Sequence, residues 1–384
     1  MKKLLSTFIF IILFGGFMLS IKTKIVQAES VETKNVINVY LIGGQSNAVG
    51  YGVDTNNSIA NSDSRYKEGF ENVLYYGDQE RVSGNVVNKE FQPVKLGLGQ
   101  AENSSGAEIG IASMLGNTNS MNAVVKCAWG ATHLYPDTIY DISKQQGTWT
   151  SPSYISKNNV DTSENKQIGR MYSWFKQTVT TAIAKLEAQG YTPVIKGMWW
   201  MQGEAEMHHK YMADAYEELL ISLIQDIRTD LTEITRTDCS EMPFIFGLPT
   251  WNKNYANAPT YEENIRNTFK KVAENEKMIN VDYIDCYGLK QHDMWHFDAA
   301  GQKLLGEQFV RKINKLHEGT NINFNEQIIA YKNAHIRFET PSGMRFGAKI
   351  ANYDAQNNYQ YGLLIVPADY LISYNLLRRC QYEF

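Results

Sequence analysis

The sequence of 384 residues is poor in cysteine and contains no motif built from it. Its four cysteines, Cys127, Cys239, Cys286 and Cys380, are widely spaced and form no C-x-x-C pair. This spacing excludes a zinc knuckle and a dense disulfide framework. Cys127 and Cys286 lie in apolar, strand-like runs, where we expect buried free thiols. A single disulfide stays open as an alternative, because the sequence does not select a pair.

The sequence also lacks basic runs and, beyond its amino terminus, long apolar runs. Lysine and arginine total 37 against 41 acidic residues, which gives a formal net charge of −4 without any arginine-rich stretch. We therefore expect no nucleic acid partner. Residues 4–21 form an uncharged apolar stretch, and no second stretch of that length follows. The rest of the chain thus predicts no membrane span.

The amino terminus has the pattern of a secretory signal peptide. Lys2 and Lys3 precede the apolar stretch, and Val26-Gln27-Ala28 follows it as a small-residue cleavage site. We predict a signal peptide over residues 1–28, with an uncleaved membrane anchor as the alternative. Either way the remaining chain would be secreted or held at the cell surface. Cleavage would remove four lysines and no acid, leaving 33 basic against 41 acidic residues and a charge of −8.

Residues 37–318 alternate between strand-like and helix-like patterns. Helical spacing of apolar residues occurs at 168–186, 216–231 and 299–316. This alternation predicts an α/β domain whose central parallel sheet is covered on both faces. Active groups in such sheets gather at the carboxyl ends of the strands. After a first strand that ends in Gly43-Gly44, strands are predicted at 73–76, 121–128, 194–201, 244–248 and 278–284.

The pattern changes near residue 320. Apolar segments at 336–338 and 345–350 flank the turn residues Thr340-Pro341-Ser342-Gly343, which predicts a β-hairpin. Residues 361–366 predict another strand. We expect a main domain over residues 29–320 and a small β-rich module over 321–384, which can be incomplete in this sequence.

The segment around Ser46 carries the strongest functional signal. A strand ends in Gly43-Gly44, and the next side chains are Gln45, Ser46 and Asn47. Such a turn can hold a serine hydroxyl clear of the sheet, with backbone N–H groups of the following helix nearby. The same segment fits an ordinary turn in which Ser46 or Asn47 caps the helix.

A second signal lies near the end of the main domain. Asp293 and His296 are three residues apart, so a turn can bring the carboxylate to the imidazole. A general base needs such a carboxylate to fix its tautomer. A structural histidine beside a helix-capping Asp293 would show the same spacing.

Two further segments end predicted strands at the same edge of the sheet. Gln202-Gly203-Glu204 follows one strand, and Trp129-Gly130-Ala131-Thr132 follows another. A backbone N–H beside a glycine and a glutamine amide can both donate to an oxyanion. Ordinary alternatives are a loop amide for Gln202 and a loop-bracing acid for Glu204. The tryptophans beside these segments suit either the core or stacking on a sugar: Trp129, Trp199, Trp200 and Trp295.

Together these motifs resemble the SGNH-hydrolase superfamily, in its carbohydrate-esterase branch of acetylxylan esterases and sialate O-acetylesterase-like enzymes. The resemblance covers about residues 36–316. It rests on Gly44-Gln45-Ser46-Asn47, Gly130, Gln202-Gly203-Glu204 and Asp293-x-x-His296. The branch often has a glycine pair where this chain has Gly130-Ala131.

The resemblance implies a three-layer α/β/α, flavodoxin-like fold and a secreted serine esterase that removes O-acetyl groups from carbohydrate of the acetylxylan or sialic-acid type. Ser46 would be the nucleophile, His296 the base and Asp293 its orienting acid. The oxyanion hole would use the backbone of Ser46 and Gly130 and the side chain of Gln202. No metal or other cofactor is implied. The residues expected to contact the acetylated carbohydrate are Gln45, Asn47, Trp129, Glu204 and Trp295.

Two other functional classes compete with an esterase. One is a carbohydrate-binding or adhesion protein that keeps the fold without turnover. The other is a metal-dependent hydrolase that would use His292, Asp293 and His296, together with His208 and His209. No H-E-x-x-H spacing supports this second class.

Overall fold

The computed structural model describes residues 35–80, 89–137, 146–163 and 166–318, and the backbone of two strands at 329–337 and 343–350. The predicted signal peptide, the predicted strand at 361–366 and Cys380 lie outside the described residues. Cys127, Cys239 and Cys286 are free and buried, as expected for the first and third of them. Within these residues, no helix is both long and apolar enough to cross a membrane.

The strands make one large sheet and two small ones. In chain order they are β1 Val36–Gly44, β2 Gly52–Val53, β3 Phe70–Gln79, β4 Gln92–Val94, β5 Ser104–Ser105, β6 Met121–Ala128, β7 Thr192–Met201, β8 Phe244–Leu248, β9 Val281–Asp285, β10 Ile329–Arg337 and β11 Gly343–Ile350. The large sheet has the order β4-β3-β6-β1-β7-β8-β9, while β2 pairs with β5 and β10 with β11. The large sheet is parallel except for its edge strand β4.

Nine α-helices occur in the described part of the chain: α1 Ser46–Val49, α2 Ser58–Ser62, α3 Arg65–Glu68, α4 Glu108–Leu115, α5 Pro152–Lys157, α6 Arg170–Ala188, α7 Lys210–Thr235, α8 Glu262–Ala273 and α9 Ala299–Glu318. A short 3₁₀ turn, Glu206–His208, precedes α7. The buried faces of α6, α7 and α8 pack on one side of the sheet, and those of α4 and α9 pack on the other. The predicted three-layer α/β/α fold is confirmed.

Strand β1 shows why the sheet is buried on both sides. Alternate residues Val39 and Leu41 enter the core beneath α6 and α7, whereas Tyr40 and Ile42 enter the core beneath α4 and α9. A strand without a polar face must be covered twice, which parallel sheets achieve with crossover helices. From β1 the chain first forms β3, β4 and β6, which lie toward one edge of the sheet, and then β7, β8 and β9, which lie toward the other edge. The carboxyl end of β1 is therefore a topological switch point, where ligands of such sheets bind.

Most predicted elements have the expected positions. Strands β6 and β8 have the predicted bounds, and β9 begins three residues later than predicted. The predicted C-terminal hairpin is present as the antiparallel pair β10 and β11. The division into two domains near residue 320 stays a prediction.

Candidate active site

The turn after β1 packs tightly against the end of the neighbouring strand β7. Gly44 has a φ of +134°, and a Cβ at this position would lie 2.0 Å from the carbonyl oxygen of Met201. The Gln45 N–H donates to that same carbonyl at 2.9 Å. Glycine is required here both by its backbone conformation and by the lack of space. The chain then enters α1 at Ser46.

Ser46 is the first residue of α1 and is 7% exposed. The N–H groups of Ala48 and Val49 both donate to the Gln45 carbonyl, which shapes this single turn. The N–H of Ser46 has no acceptor among the residues that the structure describes, as expected for the first turn of a helix. It is therefore available to a ligand beside the Ser46 hydroxyl.

Asp293 and His296 form a hydrogen-bonded pair. The His296 Nδ1 and Asp293 Oδ2 atoms are 2.7 Å apart. Burial acts to raise the pKa of Asp293, but hydrogen bonds from the His296 side chain and from the backbone N–H groups of His296 and Trp295 outweigh it and lower that pKa. An ionised carboxylate only accepts hydrogen bonds, so Nδ1 carries the proton and Nε2 is left as the basic nitrogen.

Asn47 joins the serine turn to the backbone on both sides of His296. Its Nδ2 donates to the carbonyl oxygen of Trp295 at 3.0 Å, and its Oδ1 accepts from the N–H of Phe297 at 3.2 Å. The same Nδ2 donates to Glu204 Oε1 at 2.9 Å. The residue that follows Ser46 thus connects the serine turn to the segment that carries His296.

A tyrosine that the sequence reading missed lies against the imidazole. The rings of Tyr51 and His296 stack with centroids 4.3 Å apart and an interplanar angle of 9°. The Tyr51 hydroxyl donates to Glu80 Oε2 at 3.3 Å. Burial and then Glu80 raise the pKa of Tyr51 well above its ordinary value. The Tyr51 hydroxyl therefore stays protonated.

Glu80 also binds the predicted oxyanion donor Gly130. The Gly130 N–H donates to Glu80 Oε2 at 2.7 Å. A charged acceptor makes this a strong hydrogen bond. The next residue, Ala131, has a φ of +57°, a region that glycine adopts without steric cost.

Gln202 is fully buried, and its amide has internal partners. Its Nε2 donates to Glu206 Oε2 at 2.5 Å and to the Thr132 carbonyl at 3.2 Å, and lies 3.4 Å from Gln45 Oε1. Its Oε1 accepts from the Tyr216 hydroxyl at 2.7 Å. An oxyanion role for Gln202 would require it to release one of these acceptors. In the structure it connects the loops that follow β1, β6 and β7.

Glu204 and Glu206 are buried carboxyl groups on either side of this network. Burial raises the pKa of each to about 7. Glu206 accepts the N–H of Leu134 at 2.6 Å as well as the Gln202 amide. Glu204 accepts from Asn47, and its Oε2 has no partner in the described part of the protein. Neither carboxyl group reaches the surface, so neither is placed to contact a large substrate.

The four candidate tryptophans divide into two pairs. Trp199 and Trp200 are fully buried core residues. Trp129 and Trp295 are half-buried, the first against Trp174 and the second edge-on to Trp251 with ring centroids 4.6 Å apart. Only the second pair keeps ring surface available to a sugar.

Three of the five residues expected in a metal site lie close to one another. His292, Asp293 and His296 each offer a ligand atom within 4.8 Å of the others. His208 and His209 do not belong to this group. The same Asp293 oxygen binds His296 Nδ1, so a metal held there would displace the proton that this pair shares.

Three residues of the site were not predicted from the sequence: Tyr51, Glu80 and Glu206. Glu80 directly follows β3, and the rule that active groups gather at the carboxyl ends of parallel strands would have identified it. Tyr51 and Glu206 had no comparable signal, because their roles depend on contacts between distant segments.

Comparison with known proteins gives the family and the fold. The family model described as carbohydrate esterase, sialic acid-specific acetylesterase matches residues 36–315. The solved structure of NanS has 13% identity and a TM-score of 0.50, over 74% of this chain and 99% of that one. A protein from Arabidopsis thaliana has 16% identity and a TM-score of 0.48, over 73% and 98% of the two chains. XAC1771, a carbohydrate acetylesterase from Xanthomonas citri, has 12% identity and a TM-score of 0.48, over 81% and 62%.

No protein of curated function matches the sequence. The family model spans most of the chain and includes all the motifs that predicted a hydrolase. The confirmed fold and the family together indicate a carboxylic ester hydrolase with carbohydrate acetylesterase activity. The chain therefore belongs to the carbohydrate esterase family of sialic acid-specific acetylesterases.

Proposed function

We propose that this protein is an exported serine esterase that hydrolyses O-acetyl esters of carbohydrate through an acetyl-Ser46 intermediate. One observation carries the proposal: Asn47, next to the predicted nucleophile, is hydrogen-bonded to the backbone on both sides of His296, whose Nδ1 is held by Asp293. Nucleophile, base and orienting acid are the three parts that covalent acyl transfer needs.

The proposed reaction has two halves. In the first, Ser46 Oγ attacks the acetyl carbonyl while His296 Nε2 takes the serine proton. The tetrahedral intermediate collapses, the bond between the acetyl carbon and the sugar oxygen breaks, and His296 gives its proton to that oxygen, which leaves as the sugar hydroxyl. In the second half, His296 activates a water that attacks the acetyl-serine, which releases acetate and restores Ser46.

The oxyanion of each tetrahedral intermediate needs nearby donors. The free N–H of Ser46 supports it as the first donor. Gly130 stays a predicted donor that would have to exchange Glu80 for the oxyanion. For Gln202, which is fully buried with Glu206 and the Thr132 carbonyl as acceptors, we propose support of the surrounding loops in place of the expected oxyanion role.

Substrate contact is proposed for the half-buried rings of Trp129 and Trp295, which can stack on sugar faces. Gln45, Asn47 and Glu204 were expected at the same surface, but all three are at least 95% buried, which supports an indirect role for them. Export is proposed from the signal-like segment 1–28, and N-terminal sequencing of secreted protein tests it.

The proposal is tested with Ser46→Ala and His296→Ala on a chromogenic acetyl ester and on acetylated xylan and O-acetylated sialic acid, with released acetate measured. Each variant should lose several orders of magnitude in kcat, and the double variant should be little worse, because the groups act as a unit. The matched control is Ser240→Ala, an exposed serine before the amino end of β8. A folded Ser46→Ala protein with near-normal kcat would disprove the mechanism.

A further inference from the structure

The hydrogen bonds of Asn47 define a role that none of the predicted functions includes. Asn47 is 1% exposed, and both of its side-chain heteroatoms bond to backbone groups beside His296. Its own backbone carbonyl accepts from Gln302 Nε2 on α9 at 3.1 Å. A side chain fixed in this way has no donor or acceptor left over that faces a substrate.

The two backbone groups that Asn47 binds belong to Trp295 and Phe297, the residues immediately before and after His296. Their positions fix the path of the backbone from which the imidazole projects. Asn47 is also directly bonded to Ser46 along the chain. The same side chain therefore links the turn that carries Ser46 to the backbone that carries the His296 ring.

Glu204 orients Asn47 from the other side. Its Oε1 accepts the Asn47 amide at 2.9 Å, so the amide nitrogen must face Trp295 and the amide oxygen must face Phe297. The carboxyl group is 97% buried, and its second oxygen has no partner within the described ranges. A buried polar atom without a partner lowers stability, a cost that an ordinary loop acid on the surface would avoid.

We infer that Asn47 and Glu204 form a positioning pair that holds His296 in register with Ser46, rather than the substrate contacts that the sequence suggested. The inference rests on the proposed function of Ser46 and His296. A displacement of about 1 Å in such a pair can cost about a hundredfold in rate. The geometry thus assigns these residues an effect on kcat with little effect on KM.

The test compares Asn47→Ala with Asn122→Ala. Asn122 is also 1% exposed and donates to the Ser120 carbonyl at 2.8 Å, but it lies at the amino end of β6, opposite the site. Both variants remove a buried amide, so both should lower the thermal unfolding midpoint. Only Asn47→Ala should lower kcat, by about 10–100-fold with KM within about threefold.

Glu204→Gln and Glu204→Ala test the second member of the pair. The glutamine keeps an oxygen acceptor for the Asn47 amide and should hold kcat within about threefold of the wild type, whereas the alanine should resemble Asn47→Ala. In a His296→Ala background, Asn47→Ala should add less than about threefold, because the residue through which it acts is already gone.

Equal kcat for Asn47→Ala and Asn122→Ala would overturn the inference. An Asn47→Ala loss that persists in full without His296 would overturn it too, because it would show a merely structural role. If Ser46→Ala is active, the proposed function fails and takes this inference with it. If Ser46→Ala and His296→Ala are inactive while Asn47→Ala is normal, only the positioning role fails.

Discussion

Two segments at the same edge of the sheet are built in opposite ways. The histidine loop, residues 291–298, keeps His292 exposed and Asp293 and His296 half-buried. The glutamine segment, residues 202–206, is buried throughout, with Gln202 and Glu206 at 0% exposure. Both segments carry polar groups of the type that catalysis uses. The difference agrees with the proposal that the histidine loop takes part in catalysis and that the glutamine segment supports the loops around it.

The largest expected effect lies in the histidine loop. Asp293→Asn should keep the backbone hydrogen bonds of the loop but lose the charge that fixes the His296 tautomer, and kcat should fall by about a thousandfold or more. The control is Asp298→Asn, a buried acid that accepts the Gly301 N–H at the start of α9. That control should lower the unfolding midpoint and leave kcat within a few fold. Similar kcat values for the two variants would mean that Asp293 has no catalytic role beyond the structural role of Asp298.

The next effect is a dependence of the free energy of unfolding on pH, which arises from the two acids of the glutamine segment. Burial raises the pKa of Glu204 and Glu206 to about 7 from the ordinary 4.5. Between these values the native state binds more protons than the unfolded state, so the free energy of unfolding should fall as pH rises. Each group contributes about 3 kcal/mol of stability, which is fully present below pH 4.5 and is lost as pH rises through about 7.

Urea unfolding at several values between pH 4.5 and 8 measures this effect. Glu204→Gln removes one of the two titrating groups and should roughly halve the slope of unfolding free energy against pH. Identical slopes for the variant and the wild type would mean that Glu204 is ionised over this whole pH range. Water would then have more access to the segment than its burial indicates.

A smaller effect is expected from Gln202→Ala. The change removes the Gln202 amide from Glu206 Oε2, the Thr132 carbonyl and the Tyr216 hydroxyl, and we expect a loss of about 2–4 kcal/mol in unfolding free energy. The kcat of the protein that remains folded should fall by less than about tenfold. If instead kcat falls about a hundredfold while stability holds, Gln202 donates to the oxyanion and the comparison between the two segments is wrong.

The stacking of Tyr51 on His296 should have a smaller effect on kcat than the preceding changes. A ring face stabilises the imidazolium that forms during the reaction by about 0.5–1 kcal/mol, so Tyr51→Leu should lower kcat by a few fold. Tyr51→Phe keeps the stack and should stay within about twofold, despite losing the hydrogen bond to Glu80. Equal losses in the two variants would assign the effect to that hydrogen bond instead.

No effect is expected from removal of metal ions. The proposed mechanism uses only protein groups, so kcat should be the same before and after dialysis against EDTA. Activity lost on dialysis and restored by a divalent cation would favour a metal at His292, Asp293 and His296. The histidine loop would then hold a cofactor rather than a base.

The sequence was sufficient to predict the fold and the local pairing of Asp293 with His296. Parallel strands buried on both faces are nearly continuous apolar runs, so β6 and β8 were predicted with their observed bounds. The pairing of Asp293 with His296 was predictable because it is local, spanning three residues.

Contacts between distant segments were not predictable. Glu204 and Asn47 are 157 residues apart, and Asn47 and Phe297 are 250 apart. Their burial turns expected substrate contacts into internal hydrogen bonds. Likewise, the hydrogen bond from the Gly130 N–H to Glu80 depends on how the loops that follow β3 and β6 contact each other. Residue type and spacing do not contain this information.

The tight packing at Gly44 limits how the specificity of this enzyme can evolve. Three strands meet there with no room for a methyl group, and the loops that follow all three strands start from this point. Any side chain larger than hydrogen would shift the turn that carries Ser46 and both neighbouring loops at once. If Trp129 and Trp295 contact the substrate as proposed, changes for new substrates belong around these two rings, farther from Gly44, and a directed-evolution library is best confined to that region.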